Sequence, residues 1–262
     1  MPNVTIDGLR SIPYRMAPVG ITITHNAHPH YVHDPTVRVR QTVTKDPNNN
    51  VRQVALAVDP AGDTIYLPYR PNEIHSVQLA ANPLPGGATN FLTANLDGCC
   101  MFIDVKTTGN VVVYHANAST GVAPTPQQSA SQPWFQTLAC VQELDREYTA
   151  AAVHYNGTAN ANHQRLLKAR YLQAVGHRLL QKTAAGRTGL QFGGGVEHAS
   201  FTTFAGFFVN NRWEFWFQTY SQFIYQRPVG HWKSKLGFRD IDPDPTHNNF
   251  RIMECTQFYR CP

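Results

Sequence analysis

Apolar and polar positions alternate along much of the first third of the chain, and that period of two predicts strands. Gly20-ITIT-His25, Thr36-VRVRQTV-Thr44 and Val51-RQVALAV-Asp59 show it, with the turn-rich piece KDPNNN between the later two and DPAGD after the last. Thr64-IYL-Pro68 and Ile74-HSVQLA-Ala81 follow, then a Pro/Gly-rich loop, NPLPGGATN. Cys100-MFID-Val105 and Asn110-VVVYHA-Asn117 read as two further strands around the polar turn KTTG. Residues 119–132 are rich in Ser, Pro and Gln and read as a surface loop or linker.

Beyond that linker the period changes to about 3.6. Trp134 to Val153 and Gln164 to Thr183 both predict amphipathic helices. Strands then return in Phe201-TTFAGFFV-Asn210, in Arg212-WEFWFQTY-Tyr220 across an Asn-Asn turn, and in Asn249-FRIMECTQFY-Arg260. Strands, two helices and strands again predict an α+β fold, with a largely antiparallel, sandwich-like β core flanked by helices. No fixed-period repeat occurs, and the two sets of strands are expected to share one core, so residues 1–262 are read as one domain.

Composition narrows the function classes. Charged residues make up only 15% of the chain, and the formal excess of +5 is scattered, so no basic stripe marks a nucleic-acid groove. No window approaches the ~18 apolar residues of a membrane span. The opening MPNVTIDGLRSIPYRMAPVG lacks the apolar segment of a secretory signal, which predicts a soluble chain made in the cytoplasm or exported by a route that reads no such signal. Cys99, Cys100, Cys140, Cys255 and Cys261 are odd in number and form no CxxC pair, so free thiols are expected, although Cys255 and Cys261 are close enough in sequence to pair under oxidising conditions.

The chemistry concentrates in Phe91-LTANLDGCC-Met101 and Val111-VVYHANA-Ser119. A nucleophilic cysteine needs a partner that makes the sulfur reactive, a main-chain donor for the developing oxyanion, and a turn that presents both. Gly98 allows a sharp turn before Cys99, and His115 ends a β-branched strand that would hold an imidazole rigidly. Thr93 is the candidate to orient that ring, with Asn117 behind it. If KTTG closes a simple hairpin centred at Thr108-Gly109, His115 falls opposite Phe102 and shares its face with Cys100; a turn or bulge at Gly98-Cys99 would undo that alternation. Cys99 is therefore the first candidate nucleophile and Cys100 the reserve.

The string Thr93-Ala94-Asn95-Leu96-Asp97-Gly98-Cys99 resembles the Leu-Ser-Gly-Cys signature of bacterial toxin glutamine deamidases, the group of cytotoxic necrotizing factor and Burkholderia lethal factor. The chemotaxis receptor deamidases share that catalytic arrangement. In these families the cysteine is followed by a catalytic histidine at a spacing like that from Cys99 to His115. In some, a threonine at the offset of Thr93 orients it. Asp97 stands where the family has serine, and a carboxylate aimed at the sulfur would hold it protonated.

The resemblance implies a β-sandwich with outer helices, Cys99, His115 and Thr93 as catalytic residues, and an oxyanion site at Gly98 and Cys100. It implies a protein substrate carrying a reactive glutamine, no cofactor, and a bacterial effector or toxin delivered by a specialised route. A lysine or amine in place of water would make the same pair a transglutaminase. A cysteine amidase or peptidase is a further enzymatic reading, and a non-catalytic β-rich binding protein with GCC in its core is the non-enzymatic one.

Other clusters weigh less. His25, His28, His30, His33 and Asp34 contain zinc-compatible residue types, but no second ligand group appears, so a His-rich polar turn is the favoured reading. Gln191-FGGG-Val196 lacks a phosphate-loop pattern and reads as a loop. The aromatic run from Trp213 to Tyr225 reads as core and rim, and GFRDIDPDPTHNN as a polar loop.

Overall fold

A computed structural model describes residues 3–17, 31–46, 50–70, 73–96, 98–117, 138–173, 195–226 and 243–262. The predicted strand at 20–25, the linker at 119–132, Asp97, His25, His28, His30 and most of the FGGG segment lie outside the described residues. Thirteen strands and three helices are seen among those described.

Eight strands form one sheet, in the spatial order β1 (Tyr14–Met16), β4 (Arg52–Val58), β3 (Val37–Lys45), β5 (Thr64–Leu67), β7 (Asn90–Thr93), β11 (Gly195–Val209), β12 (Arg212–Gln226) and β13 (Pro243–Arg260). Five form a second sheet: β10 (Gln164–Leu166), β8 (Cys100–Val105), β9 (Val111–Ala116), β6 (Ile74–Leu79) and β2 (Tyr31–His33). Three pairings are parallel, β1 with β4, β2 with β6 and β5 with β7; the others are antiparallel. Strands from the first and last thirds of the chain meet where β7 pairs with β11, so both sets belong to one sheet.

Apolar residues from both sheets fill the space between them. Ile65, Leu67, Phe91, Phe204, Trp213, Phe215 and Phe217 come from the larger sheet, and Val77, Leu79, Met101, Ile103, Val111 and Val113 from the smaller. The outer face of the smaller sheet carries Cys100, Phe102, Val112, Tyr114 and Ala116 against Leu144, Tyr148, Ala151 and Ala152 of helix α2 (Leu138–Asn156). Tyr148 donates a hydrogen bond to the buried Asp104, and its ring stacks on Phe102 at 4.7 Å between centroids. Burial on both faces explains why β9 is buried throughout and, His115 apart, does not alternate between apolar and polar residues. Helix α1 (Ile6–Ser11) adds Leu9 to a second core on the outer face of the larger sheet. The fold is α+β with a β-rich sandwich core, and no described helix is long and apolar enough to cross a membrane.

The hairpins show what residue choice controls. Asn210 and Asn211 have φ of 51° and 61°, the left-handed pair that a two-residue hairpin loop requires, and they join the long strands β11 and β12. The KTTG turn has a different form. Gly109 sits at φ 82° and donates to the Lys106 carbonyl (2.8 Å), while Lys106 N–H donates to the Asn110 carbonyl (2.8 Å). This is a three-residue loop closed by a glycine bulge, and it moves the ladder by one residue. His115 therefore pairs with Met101, and Phe102 pairs with Tyr114. The simple-hairpin register expected above is corrected.

Other boundaries are corrected as well. Gln164–Leu166 is a strand, because it pairs with Met101 to Ile103 of β8, and only Lys168–Tyr171 (α3) follows as helix before the described residues end at 173. The helix expected over Trp134 to Val153 is described as α2, Leu138–Asn156. The last strand starts at Pro243, inside the segment expected to be loop, because its partners on β12 extend to Gln226.

Candidate active site

The register decides which cysteine faces His115. Side chains alternate across a strand, so Met101 and the residue two before it, Cys99, share the inner face with His115. Cys99 accordingly packs in the inter-sheet core and Cys100 in the core beneath α2. Cys99 lies diagonal to His115 across the ladder, a relation that usually separates Cα atoms by about 7–8 Å. Cys100, the reserve nucleophile, points to the other side of the sheet.

His115 is held from the opposite sheet. Its Nδ1 lies 2.7 Å from Thr93 Oγ1 at the end of β7, and Thr93 Oγ1 donates to the Leu67 carbonyl at 2.9 Å. These two contacts determine the tautomer. A hydroxyl has one hydrogen, and a carbonyl only accepts, so that hydrogen goes to Leu67. Toward the imidazole the hydroxyl must accept, which puts the ring proton on Nδ1. Burial, helped by the nearby charge of His75, pushes the His115 pKa down to about 3, so the ring is neutral and Nε2 carries a bare lone pair. That nitrogen is buried and finds no hydrogen-bond partner among the described residues. An unsatisfied buried polar atom costs roughly 1–3 kcal/mol and calls for an explanation.

The turn before Cys99 is clamped from α3. Gly98 sits at φ 99° and donates its N–H to the Tyr171 hydroxyl at 3.0 Å; that hydroxyl in turn donates to the Cys99 carbonyl at 3.0 Å. Gly98 N–H, expected as an oxyanion donor, is thus already engaged by the Tyr171 phenol in this state. Lys168, at the start of the same helix, brings its ammonium to the turn: a Cβ built on Gly98 would lie 3.3 Å from Nζ. Among the described residues Lys168 makes no ion pair.

Two further groups surround the imidazole. Tyr69 sets its ring 5.1 Å from that of His115, and Asn117 Nδ2 donates to the Tyr69 hydroxyl at 2.8 Å, so Asn117 holds the tyrosine and not the imidazole. His75 pairs directly with His115 across β6 and β9. Its Nδ1 is 2.9 Å from Asp34 and its Nε2 2.8 Å from Glu73. Sequence reasoning missed Tyr171, Lys168 and His75. A single histidine within an alternating strand carries no local signal, and its carboxylate Asp34 is distant in sequence. Asp34 serves His75, and the neighbouring His33 bonds Ser76 at 3.0 Å. Cys255 and Cys261 are both thiols, not bonded to each other, and burial raises their pKa values to about 11 and about 12.

Set against known proteins, the chain matches no protein-family model and no curated protein sequence.

Proposed function

We propose that the protein is a cysteine-dependent protein glutamine deamidase, with Cys99 as nucleophile and His115 as acid and base. The observation that carries the reading is the buried chain Leu67–Thr93–His115, which leaves Nε2 unprotonated and, among the described residues, unpartnered on the face of Cys99. A neutral imidazole whose other nitrogen is fixed by a hydrogen bond is the form a general base requires.

In the proposed reaction the Cys99 sulfur attacks the carboxamide carbon of a glutamine side chain, and its proton passes to His115 Nε2. The tetrahedral oxyanion collapses as ammonia leaves with that proton, giving a thioester. Water then adds, losing a proton to Nε2, and the thioester resolves to glutamate and the free thiol. Thr93 keeps the ring oriented throughout. Lys168 supplies positive charge at the Gly98 turn, where the oxyanion develops. An amine in place of water would give transglutamination, and a main-chain amide in the cleft would give a peptidase. The proposed setting is that of an effector or toxin acting on another protein.

Burial favours one competing reading. Cys99 is 2% exposed and His115 fully buried, as expected if GCC is core in a non-catalytic β protein. Intact-mass analysis of glutamine-containing proteins, with coupled detection of ammonia, separates the two. Deamidation by wild type, its loss in a folded Cys99→Ala variant and its retention in Cys100→Ala are expected. Loss in Cys100→Ala with retention in Cys99→Ala would overturn the assignment, and an inert wild type that turns over no substrate would favour the core reading.

A further inference from the structure

The proposed reaction leaves His75 unexplained. It is 1% exposed, in β6, directly opposite His115 in β9, and both its ring nitrogens meet carboxylates. A neutral imidazole has one N–H, and an ionised carboxylate only accepts, so a ring bonded to two carboxylates at 2.9 and 2.8 Å needs protons on both nitrogens. Glu73 reaches the surface, with 25% of its side chain exposed, while Asp34 is fully buried.

We infer that His75, held as an imidazolium between Asp34 and Glu73, is a positioning residue whose charge keeps His115 in the neutral Nδ1–H form with Nε2 ready to accept a proton. The inference rests on the proposed role of His115 as base, and it adds a reason for the second histidine. Two cations one strand apart repel, so protonating His115 while His75 is charged is disfavoured. The pKa of His115, depressed first by burial and further by the charge of His75, agrees. Among the described residues, the titratable and charged groups around the pair are Asp34 after β2, Glu73 before β6, Tyr69 after β5, Cys99 before β8 and the Lys168 ammonium at the Gly98 turn. The opposite sheet contributes Thr93 and Leu67, which do not titrate. Among the described residues the carboxylates of Asp34 and Glu73 bond His75, and His115 donates its hydrogen bond to Thr93.

The device also serves the second half of the reaction. An imidazolium at His115 is kept short-lived by its charged neighbour, so the proton taken from sulfur is passed readily to departing ammonia. A ring that held its proton tightly would be a poor acid for that step.

The test is an NMR titration of the full-length protein with ¹⁵N-labelled histidine, followed for wild type, His75→Gln and His75→Lys. In wild type both His75 nitrogens should show imidazolium shifts at neutral pH, and His115 should remain neutral well into the acid range. His75→Gln removes the charge, and His115 should then protonate at a proton concentration about tenfold lower or less. His75→Lys restores a cation between the same carboxylates and should return the midpoint toward wild type, which a purely structural role for His75 would not produce. If His75→Gln does not fold, Glu73→Gln at the rim tests the same point by weakening the hold on the cation. A wild-type His75 with one bare nitrogen, or an unchanged His115 midpoint in His75→Gln or Glu73→Gln, overturns the inference. The midpoint reads the inference whether or not the protein deamidates anything; deamidation by wild type, measured separately, reads the reaction.

Discussion

Replacing Thr93 by valine removes a hydroxyl and keeps the shape. In wild type that hydroxyl accepts from His115 Nδ1–H and donates to the Leu67 carbonyl, and all three groups are buried. Valine leaves the ring with two unpaired nitrogens in either tautomer, where wild type has one. The added orphan costs about 1–3 kcal/mol and the lost bond to Leu67 about 1 more, so Thr93→Val should destabilise the fold by about 2–4 kcal/mol. That is a large part of the 5–15 kcal/mol that typically holds a domain together. Thr93→Ser keeps both hydrogen bonds and loses one methyl, at about 1 kcal/mol. The hydroxyl term wins, so serine should be the milder change. Urea unfolding followed by fluorescence reads the difference as a midpoint shift at constant slope. Freed from Thr93, the ring can also move its proton to Nε2, which removes the base; turnover should fall about a hundredfold in Thr93→Val. Thr93→Ala should likewise lower turnover, but less than His115→Ala. Equal stability of the Val and Ser variants, with equal turnover, would refute the hydrogen-bonded chain from Leu67 to His115.

Tyr171→Phe should leave Gly98 N–H and the Cys99 carbonyl without their shared partner. It should cost roughly 1–3 kcal/mol in stability and lower turnover with little change in KM, read by denaturant unfolding and steady-state kinetics. Acid should weaken the fold through His115. Its native pKa, about 3, lies below the unfolded value of about 6.5, so the unfolded chain takes up the proton first. The stabilising contribution is complete above about pH 6.5 and is lost progressively down to about pH 3; the acid sensitivity of thermal unfolding should diminish in His115→Gln.

Local chemistry was legible where the chain settles its own geometry. The alternation in Thr36-VRVRQTV-Thr44 matches β3, and the Asn-Asn turn has the positive φ values its residues favour. The pairing of Thr93 with His115 was anticipated from a motif, although the strand that ends in Thr93 was not: NFLT is four residues long and sits behind a Pro/Gly loop. Register was not legible. One glycine at φ 82° shifts β8 against β9 by a residue, and that shift moves Cys99 to the face of His115 and Cys100 away from it. The helical period misled at Gln164–Leu166 for another reason: these residues meet the edge of β8, and pairing there outweighs local preference.

The protonation state of His115 also changes what kind of cysteine site this would be. A resting thiolate–imidazolium pair would require charging a ring whose pKa is about 3, at a cost of about 5 kcal/mol relative to water. In the proposed reaction the pair would therefore start as thiol and neutral imidazole, with charge separating only as the sulfur attacks. A turnover of about 10 per second corresponds to a barrier near 16 kcal/mol, so a term of this size is affordable once substrate binding rearranges the turn. It does mean that quick alkylation by iodoacetamide is not the signature to expect. The free protein should react slowly near neutral pH, because the small reagent brings no binding energy to offset the charging of His115. Rapid, His115-dependent alkylation of Cys99 in the free protein would show that the sulfur is ionised at rest, and with it that His115 is not the neutral base its surroundings make it.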